Sequence, residues 1–452
     1  MSINNLPASL QDVIQTGILE REFHQALKAK FGFRAIADRE IFPAKIGETI
    51  TKTRAGLLPA ITTPMAPALN SDFTSGLTPQ NWSVEQYILT INQYAGNQML
   101  NVVTARVAIA SLFLQNAIGL GYQAALSVDT LAQQSLFNTY LGGNTRVTTT
   151  LGVAGPTIHV DDIRGFQDTW NSEGYPVPIS GTYPVNVVVG SDTYSLTGAV
   201  ADGSNTSTAP GGISGNLTFS TNVTVADGTA DNAVVSAVAP VVYRPSTTSG
   251  NVMAATTAAI SASSDINGGK LTMQMILNGK AQLSANAVRP VDESGMYHLY
   301  LDPIQAAGLF SDPAFQYLFR GQPNTKEFRE GIVAEILGVR LIETNLNPVQ
   351  NLSGVGNVRR GILCGQGALV EGVYTREGYV ATDKMDDDDM ITLVDGIAHV
   401  TREPLDALKQ VVTQSWSYIG GFVVPSDITT NTQTVPTASN SAFKRGLMLE
   451  SL

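Results

Sequence analysis

The stretch NAIGLGYQAALSVDTLAQQSLFNTYL, Asn116 to Leu141, decides how the rest of the chain is read. Ala117, Leu120, Gly121, Ala124, Val128, Leu131, Ala132 and Ser135 recur at the spacing of one face of an α-helix. Most of that face is Ala, Gly or Ser, so a neighbour can pack close to the helix backbone. A thinner apolar set, Leu126, Phe137 and Leu141, marks the back of the helix and predicts that both sides are covered. Gly142-Gly143-Asn144 supplies residues that tolerate the left-handed turn ending a helix. The pattern predicts a long central helix in a large mixed α and β subunit.

Composition narrows the surroundings of that helix. A chain of 452 residues can bury a large core and divide into several domains. Only 14% of residues are charged, and 42 are glycine. Scarce charge with many Gly, Thr, Ser and Asn predicts β and loop surface that faces other protein. The net charge of −11 argues against a basic nucleic-acid reader. One cysteine, Cys364, excludes an internal disulfide framework and fits a reducing compartment. The opening MSINNLPASLQDVIQTG lacks the basic and apolar regions of an export signal. The most apolar run, Val107 to Leu114, is too short to cross a bilayer, so a soluble cytosolic product without membrane partners is expected.

In chain order, Leu10 to Phe31 reads as an amphipathic helix. Ile46 to Arg54 alternates Ile46, Glu48, Ile50, Lys52 and Arg54 against Gly47, Thr49, Thr51 and Thr53. Glu85 to Gln93 alternates too, with Tyr87, Leu89 and Ile91 on one side. Joined across the Pro-, Thr- and Ser-rich Pro59 to Gln80, the two form a long, weakly apolar hairpin. Two strands without a packed face are marginal in water, so an arm reaching onto a neighbouring subunit is expected. Its charged residues Lys45, Glu48, Lys52 and Arg54 are the candidate intersubunit contacts.

Beyond the central helix, Val147 to Thr150 reads as a short strand, and His159 to Arg164 reads as the start of a helix. Asp161 and Asp162 would occupy its first turn. From Tyr175 to Ser263 the charged residues are only Asp192, Asp202, Asp227, Asp231 and Arg244. Valine-rich runs at Val185–Val189, Tyr194–Leu196, Leu217–Phe219, Val223–Val225 and Val234–Tyr243 alternate with Gly- and Asp-rich turns. They predict a small all-β barrel or sandwich inserted into a host fold. Leu271 to Ala287 is helical in pattern, and Gly295 to Leu301 is a buried type of strand. It runs into Asp302-Pro303, an N-cap followed by proline at the first helical position. Asn324 to Gly338 reads as a helix leading into a strand at Val339 to Thr344.

The order of these last motifs, with Gly295, Tyr297, Leu299 and Pro303 followed by Gly331, Ala334, Gly338, Val339, Leu341, Ile342 and Thr344, resembles the major capsid proteins of tailed bacteriophages. That resemblance implies the α+β Hong Kong 97-type fold: a long spine helix, an extended β-hairpin loop, and mixed α/β axial and peripheral domains. Lys45-Ile-Gly-Glu-Thr-Ile50 is similar to the family's extended loop, and the valine-rich stretch is similar to the inserted domain of P22-like coat proteins. The implied division is 1–40 N-terminal arm and helix, 41–95 extended hairpin loop, 96–174 spine helix and peripheral region, 175–263 inserted all-β domain, and 264–452 axial domain with a return to the peripheral one. The implied function is self-assembly as hexamers and pentamers into the icosahedral shell around a double-stranded DNA genome. Assembly in the host bacterial cytoplasm would end in the virion. The implied partners are a separate scaffolding protein, a portal protein, a possible decoration protein, and packaged DNA held without sequence-specific binding. No lysine–asparagine crosslink can be placed, which predicts a non-covalent shell.

No P-loop, GxSxG, HExxH or CxxC motif is present, and neither enzyme activity nor a cofactor is expected. His24, His298, His399 and Cys364 are expected to pack, and Asp386 to Asp389 to form a solvated loop and not a metal site. The alternatives are an encapsulin-like compartment and a β-rich phage tail or adhesin component. The latter leaves the long helices unexplained.

Overall fold

A computed structural model describes residues 21–23, 25–26, 32–42, 49–55, 57–58, 60–62, 64, 84–101, 109–171, 173, 175–237, 239–245, 252–254, 269–319, 335–352, 356–374, 391–402, 407–408, 410–425, 429–430, 433–434 and 444–452. A 3-10 turn, Phe33–Ile36, leads into β1 (Ala37–Phe42), β2 (Thr49–Ala55), β3 (Val84–Thr90) and β4 (Asn92–Asn101). The central helix α1 (Ile109–Tyr140) follows. Then come β5 (Asn144–Arg146), β6 (Gly155–Val160), β7 (Asp168–Trp170), β8 (Pro176–Pro178), β9 (Val185–Val189), β10 (Asp192–Ala201), β11 (Gly215–Val223), β12 (Ala233–Ser236), β13 (Val242–Pro245) and β14 (Val252–Ala254). Helix α2 (Met273–Ala285), β15 (Tyr297–Leu301), α3 (Pro303–Phe310) and α4 (Pro313–Phe319) are next. The remaining strands are β16 (Glu335–Ile336), β17 (Val339–Glu343), β18 (Val349–Leu352), β19 (Gly356–Cys364), β20 (Leu369–Tyr374), β21 (Ile391–Val394), β22 (Ile397–Arg402), β23 (Val411–Val423), β24 (Thr429–Thr430), β25 (Gln433–Thr434) and β26 (Gly446–Ser451). The fold is mixed α+β, with several sheets and few helices.

Helix α1 buries the predicted face. Ala117, Leu120, Ala124, Val128 and Ala132 have no exposed surface. Its first half packs with Phe23, Trp416 and Tyr418, and its second half with Phe33, Tyr300 and Met448. The close approach predicted from its small residues is made by residues 21–26: a Cβ added at Gly121 would lie 2.8 Å from Ala26 Cβ and 3.1 Å from the Phe23 carbonyl. The back of the helix departs from expectation. Phe137 turns into the core, but Leu126 is 48% exposed and Tyr122 beside it is 45% exposed.

Two large sheets flank α1. One runs β1-β20-β23-β22-β21, with β4 paired to β23 along ten residue pairs. The other runs β14-β13-β26-β19-β15-β17-β16, with β18 on β19. In the second sheet α2 buries Met275, Ile276 and Leu283 against Leu363, Leu447 and Leu449. Residues 446–451 thus return to pair with β19. Asp302 caps α3 as expected: its carboxylate accepts from Ile304 N (2.8 Å) while Gln305 completes a capping box.

The third sheet, β5-β12-β9-β10-β11-β6, closes on itself. Val147 bridges to Val160, Thr148 N donates to the His159 carbonyl (3.0 Å), and Asp161 N to the Arg146 carbonyl (3.1 Å). The result is a six-stranded barrel filled by Val187, Val189, Leu196, Leu217, Phe166 and Val234. Its strands do not follow the expected bounds of 175–263. The barrel already contains β5 and β6, and β13 belongs instead to the second large sheet, where it pairs in parallel with β26. The chain enters and leaves the barrel at adjacent points, since Asn144 pairs with Val235 and Ser236 N donates to the Gly143 carbonyl (2.8 Å).

Two predicted helices are corrected. His159 lies in strand β6, and the carboxylates of Asp161 and Asp162 bind the 205–214 loop and Arg164, not a helix end. Most of Asn324 to Gly338 lies outside the described residues, but its end is a hairpin. Leu337 (φ 53°) and Gly338 (φ 76°) both take the left-handed conformation, and they join β16 to β17 in a two-residue turn that no helix can pass through.

Two outcomes test this architecture. Replacing residues 144–236 with a short Gly/Ser linker should leave a soluble host that melts cooperatively, whereas removing 175–263 should abolish folding by stripping β13 from β26. Gly121→Val should cost about 1–3 kcal/mol by overpacking. In urea titrations this loss should be accompanied by faster proteolysis within residues 21–26.

Candidate functional site

Strands β2 and β3 form the predicted ribbon, in a register that sets Ile50 opposite Leu89 and Lys52 opposite Tyr87. Alternation places Ile50, Lys52, Arg54, Tyr87 and Leu89 on one face and Thr49, Thr51 and Thr53 on the other. The root of the ribbon is not unsupported, which corrects the expectation of two strands without a packed face. Tyr87 and Leu89 are buried against Val370 and Val423, with Ile50 and Ile419 packed alongside. The reason is register: pairing brings the weakly apolar faces of both strands to the same side, where together they cover one end of the first large sheet.

Of the four predicted contact residues, Lys45 and Glu48 lie outside the described residues. Lys52 pairs with Glu40 of strand β1 in the same chain, so this cation already has an intrachain partner. Arg54 shares the inner face with Tyr87 and lies close enough for its charge to act on the Tyr87 hydroxyl. The two described candidates, Lys52 and Arg54, stand two residues apart on the same face of β2. The structure leaves several apolar side chains exposed: Ile41 on edge strand β1 (74% exposed), Leu57, Leu58 and Ile61 (77%) beyond β2, and Met99 (68%) on β4. Among the described residues, β4 pairs with β23 alone and exposes most of its side chains, so its other edge carries an unpaired ladder.

The segment before the ribbon is held by buried charge. Glu371 on β20 is fully buried and accepts from Arg34 Nε (2.7 Å), Arg39 Nε (3.1 Å) and the Tyr418 hydroxyl (2.9 Å). Arg34 also donates to the Asp395 carbonyl (2.7 Å), and Arg39 binds the Asp395 carboxylate. Asp129, on the buried side of α1, accepts from Arg34 N (3.0 Å), with further backbone donors from Phe33 and Gly32. Burial outweighs those donors and raises the Asp129 carboxyl above the usual range. Sequence reading missed Glu371 and Asp129 because each partner lies far away in the chain. Asp395-Gly396, a two-residue hairpin turn joining β21 and β22, was legible and overlooked.

The packing roles expected for Cys364 and His399 agree with their surroundings. Cys364 is fully buried in β19, which raises its thiol well above the usual range. His399 stacks on Phe23 with ring centroids 4.6 Å apart, and burial lowers its imidazole from 6.5 to about 4. His298 is buried in β15 and faces Asp292 at 3.0 Å. His24 and Asp386 to Asp389 lie outside the described residues. Among the described residues, no group of three His, Cys, Asp or Glu side chains is placed to hold a metal ion. No described helix is long and apolar enough to cross a membrane.

The His399 shift carries a sign. The unfolded chain takes up a proton near pH 6.5 that the folded state refuses until about pH 4, so the contribution is intact above 6.5 and is lost as pH falls toward 4. Each unit is worth about 1.4 kcal/mol. Urea titrations at pH 7 and 4.5 should therefore show a smaller acid-induced loss of stability in His399→Gln than in the unaltered chain.

Comparison with known proteins adds likenesses of chain course. No family model matches the sequence, and no curated protein matches it. Among solved structures, the capsid of Ralstonia phage GP4 is similar over 94% of this chain and 91% of its own, with 15% identity and a TM-score of 0.47. The capsid of cyanophage P-SCSP1u covers 93% of this chain and 88% of its own, at 10% identity and a TM-score of 0.44. A virus-like particle from Pyrococcus furiosus covers 95% and 97%, at 8% identity and a TM-score of 0.35.

Proposed function

We propose that this chain is a non-enzymatic shell subunit, the major capsid protein of a tailed phage, which assembles into an icosahedral container for double-stranded DNA. The observation that carries this reading is the contrast between core and rim. The chain buries two large sheets and a closed barrel thoroughly, yet it leaves Ile41, Leu57, Leu58, Ile61 and Met99 exposed, and among the described residues no strand pairs with the second edge of β4. Exposed apolar side chains and open strand edges are surface suited to burial against other protein. The motif order from Gly295 to Thr344 supports placing that protein in a capsid lattice, with α1 as the spine helix and the β2–β3 ribbon as the root of the extended loop.

In this reading the barrel is the inserted domain, with its bounds moved to 144–236, and Lys45, Glu48, Lys52 and Arg54 remain candidates for contacts with adjoining copies. Lys52 would make them while paired to Glu40, as a shared ion pair at the rim of an interface. Such pairs set register more than strength. Hexamers and pentamers, a separate scaffolding protein, a portal and an optional decoration protein complete the assembly, inside the host cytoplasm and then in the virion. The net charge of −11 suits a wall that must let DNA slide past without gripping it.

Electron microscopy of the purified chain, alone and with a candidate scaffold, tests the reading. Closed icosahedral shells are expected. Tubes, fibres, or a strictly monomeric chain under all conditions would reject it. Ile61→Asp combined with Met99→Asp should leave the melting temperature within a few degrees of the unaltered chain and abolish shells.

A further inference from the structure

Where the barrel meets the second large sheet there is a cavity of about 440 Å³, walled by the end of α1, the barrel root and strands β13, β19 and β26. Four guanidiniums (Arg146, Arg164, Arg244, Arg360) and three carboxylates (Asp161, Asp162, Glu450) line it, an excess of one positive charge. Some of these are satisfied among themselves. Arg164 Nε and Nη2 grip Asp162 at 2.8 and 2.6 Å. Asp161 accepts from Thr208 Oγ1 (3.0 Å) and Gln350 Nε2 (2.8 Å). What remains is three arginines sharing one carboxylate: Glu450 takes Arg244 Nε at 2.7 Å, Arg360 Nε at 3.0 Å and Arg146 Nη2 at 3.4 Å.

That arrangement is incomplete. Arg146 and Arg360 are 7% and 5% exposed, and each keeps a buried Nη1 without a hydrogen-bond partner. A buried unpaired guanidinium N–H has lost its water and gained nothing in return. Burial, with the like charges of Arg244 and Arg360 beside it, lowers the Arg146 guanidinium to about 10 despite the nearby Glu450 and Asp231 carboxylates. Asn144, on the same wall, points its amide nitrogen at the Pro240 carbonyl (3.2 Å), which leaves its Oδ1 buried and unpartnered. Two guanidinium N–H groups and one amide oxygen of the cavity-wall residues are therefore unused, each lying just behind the cavity surface. Its volume exceeds that of a single water, about 30 Å³, many times over.

We propose that this cavity binds a small protonated tetrahedral oxyanion, inorganic phosphate, which accepts from Arg146 and Arg360 and donates a hydrogen bond from its own hydroxyl to Asn144 Oδ1. A monoanion cancels the excess charge, and the bound ion ties the barrel, through Arg146, to the sheet that carries Arg360. The inference does not depend on the chain forming a shell.

The test uses the full-length chain in phosphate-free buffer, titrated with inorganic phosphate at constant ionic strength against chloride, by calorimetry and thermal melting. Saturable binding at about 1 mM or tighter is expected. Arg146→Gln should weaken it by at least about tenfold, the weight of a charge-assisted hydrogen bond. Should that variant fail to fold, Asn138→Asp serves instead. Asn138 Oδ1 already accepts from Arg164 Nη1 (2.6 Å), so an aspartate keeps the bond and adds the charge that phosphate would bring. It should fold and bind phosphate more weakly. Sulfate, with no proton for Asn144, should bind more weakly than phosphate. Absence of saturable binding, unchanged affinity in Asn138→Asp, equal affinity for sulfate, or displacement of phosphate by a short oligonucleotide would each overturn the assignment.

Discussion

One buried carboxylate, Glu450, holds three parts of the molecule in register. Its arginines come from barrel strand β5, from β13 and from β19, so a single residue of β26 binds the barrel and two of its own sheet neighbours at once. The three guanidiniums hold its pKa well below the usual carboxylate range despite complete burial. Buried ion networks return little net stability, because desolvation offsets attraction, but losing one member is expensive. The network therefore specifies where the barrel sits more than how strongly the chain folds.

A second carboxylate plays the matching part in the other large sheet. Glu371 gathers Arg34, Arg39 and Tyr418, and through them fixes the turn and edge strand from which the ribbon departs. The ribbon is thus anchored at its root by charge on one side and by Tyr87 and Leu89 on the other. For the intersubunit arm proposed above, a rigid root would leave less conformational entropy to lose on contact.

Both networks follow from the same economy of composition. With only 14% charged residues, many of the arginines and carboxylates are withdrawn into the interior, and the surface is left to Thr, Ser, Asn, Gly and scattered apolar groups.

Local pattern alone determined the elements whose partners are near in sequence. The small-residue face of α1, the valine strands of the barrel, the Asp302-Pro303 cap and the alternation of the ribbon were all legible, because periodicity and capping act over a few residues. The helix misread at His159 to Arg164 shows the limit. Asp161 and Asp162 suit a helix N-terminus equally well, and only the 205–214 loop folding over them made them loop anchors. Closure of the barrel by Val147 and Val160, the transfer of β13 to a different sheet, and the grouping of Arg146, Arg244 and Arg360 around Glu450 were decided by tertiary structure. Arg244, the only cation between Tyr175 and Ser263, was the one hint of that grouping. The physical reason is range: a buried charge is defined by the partner that replaces its water, and here that partner stands 206 residues away.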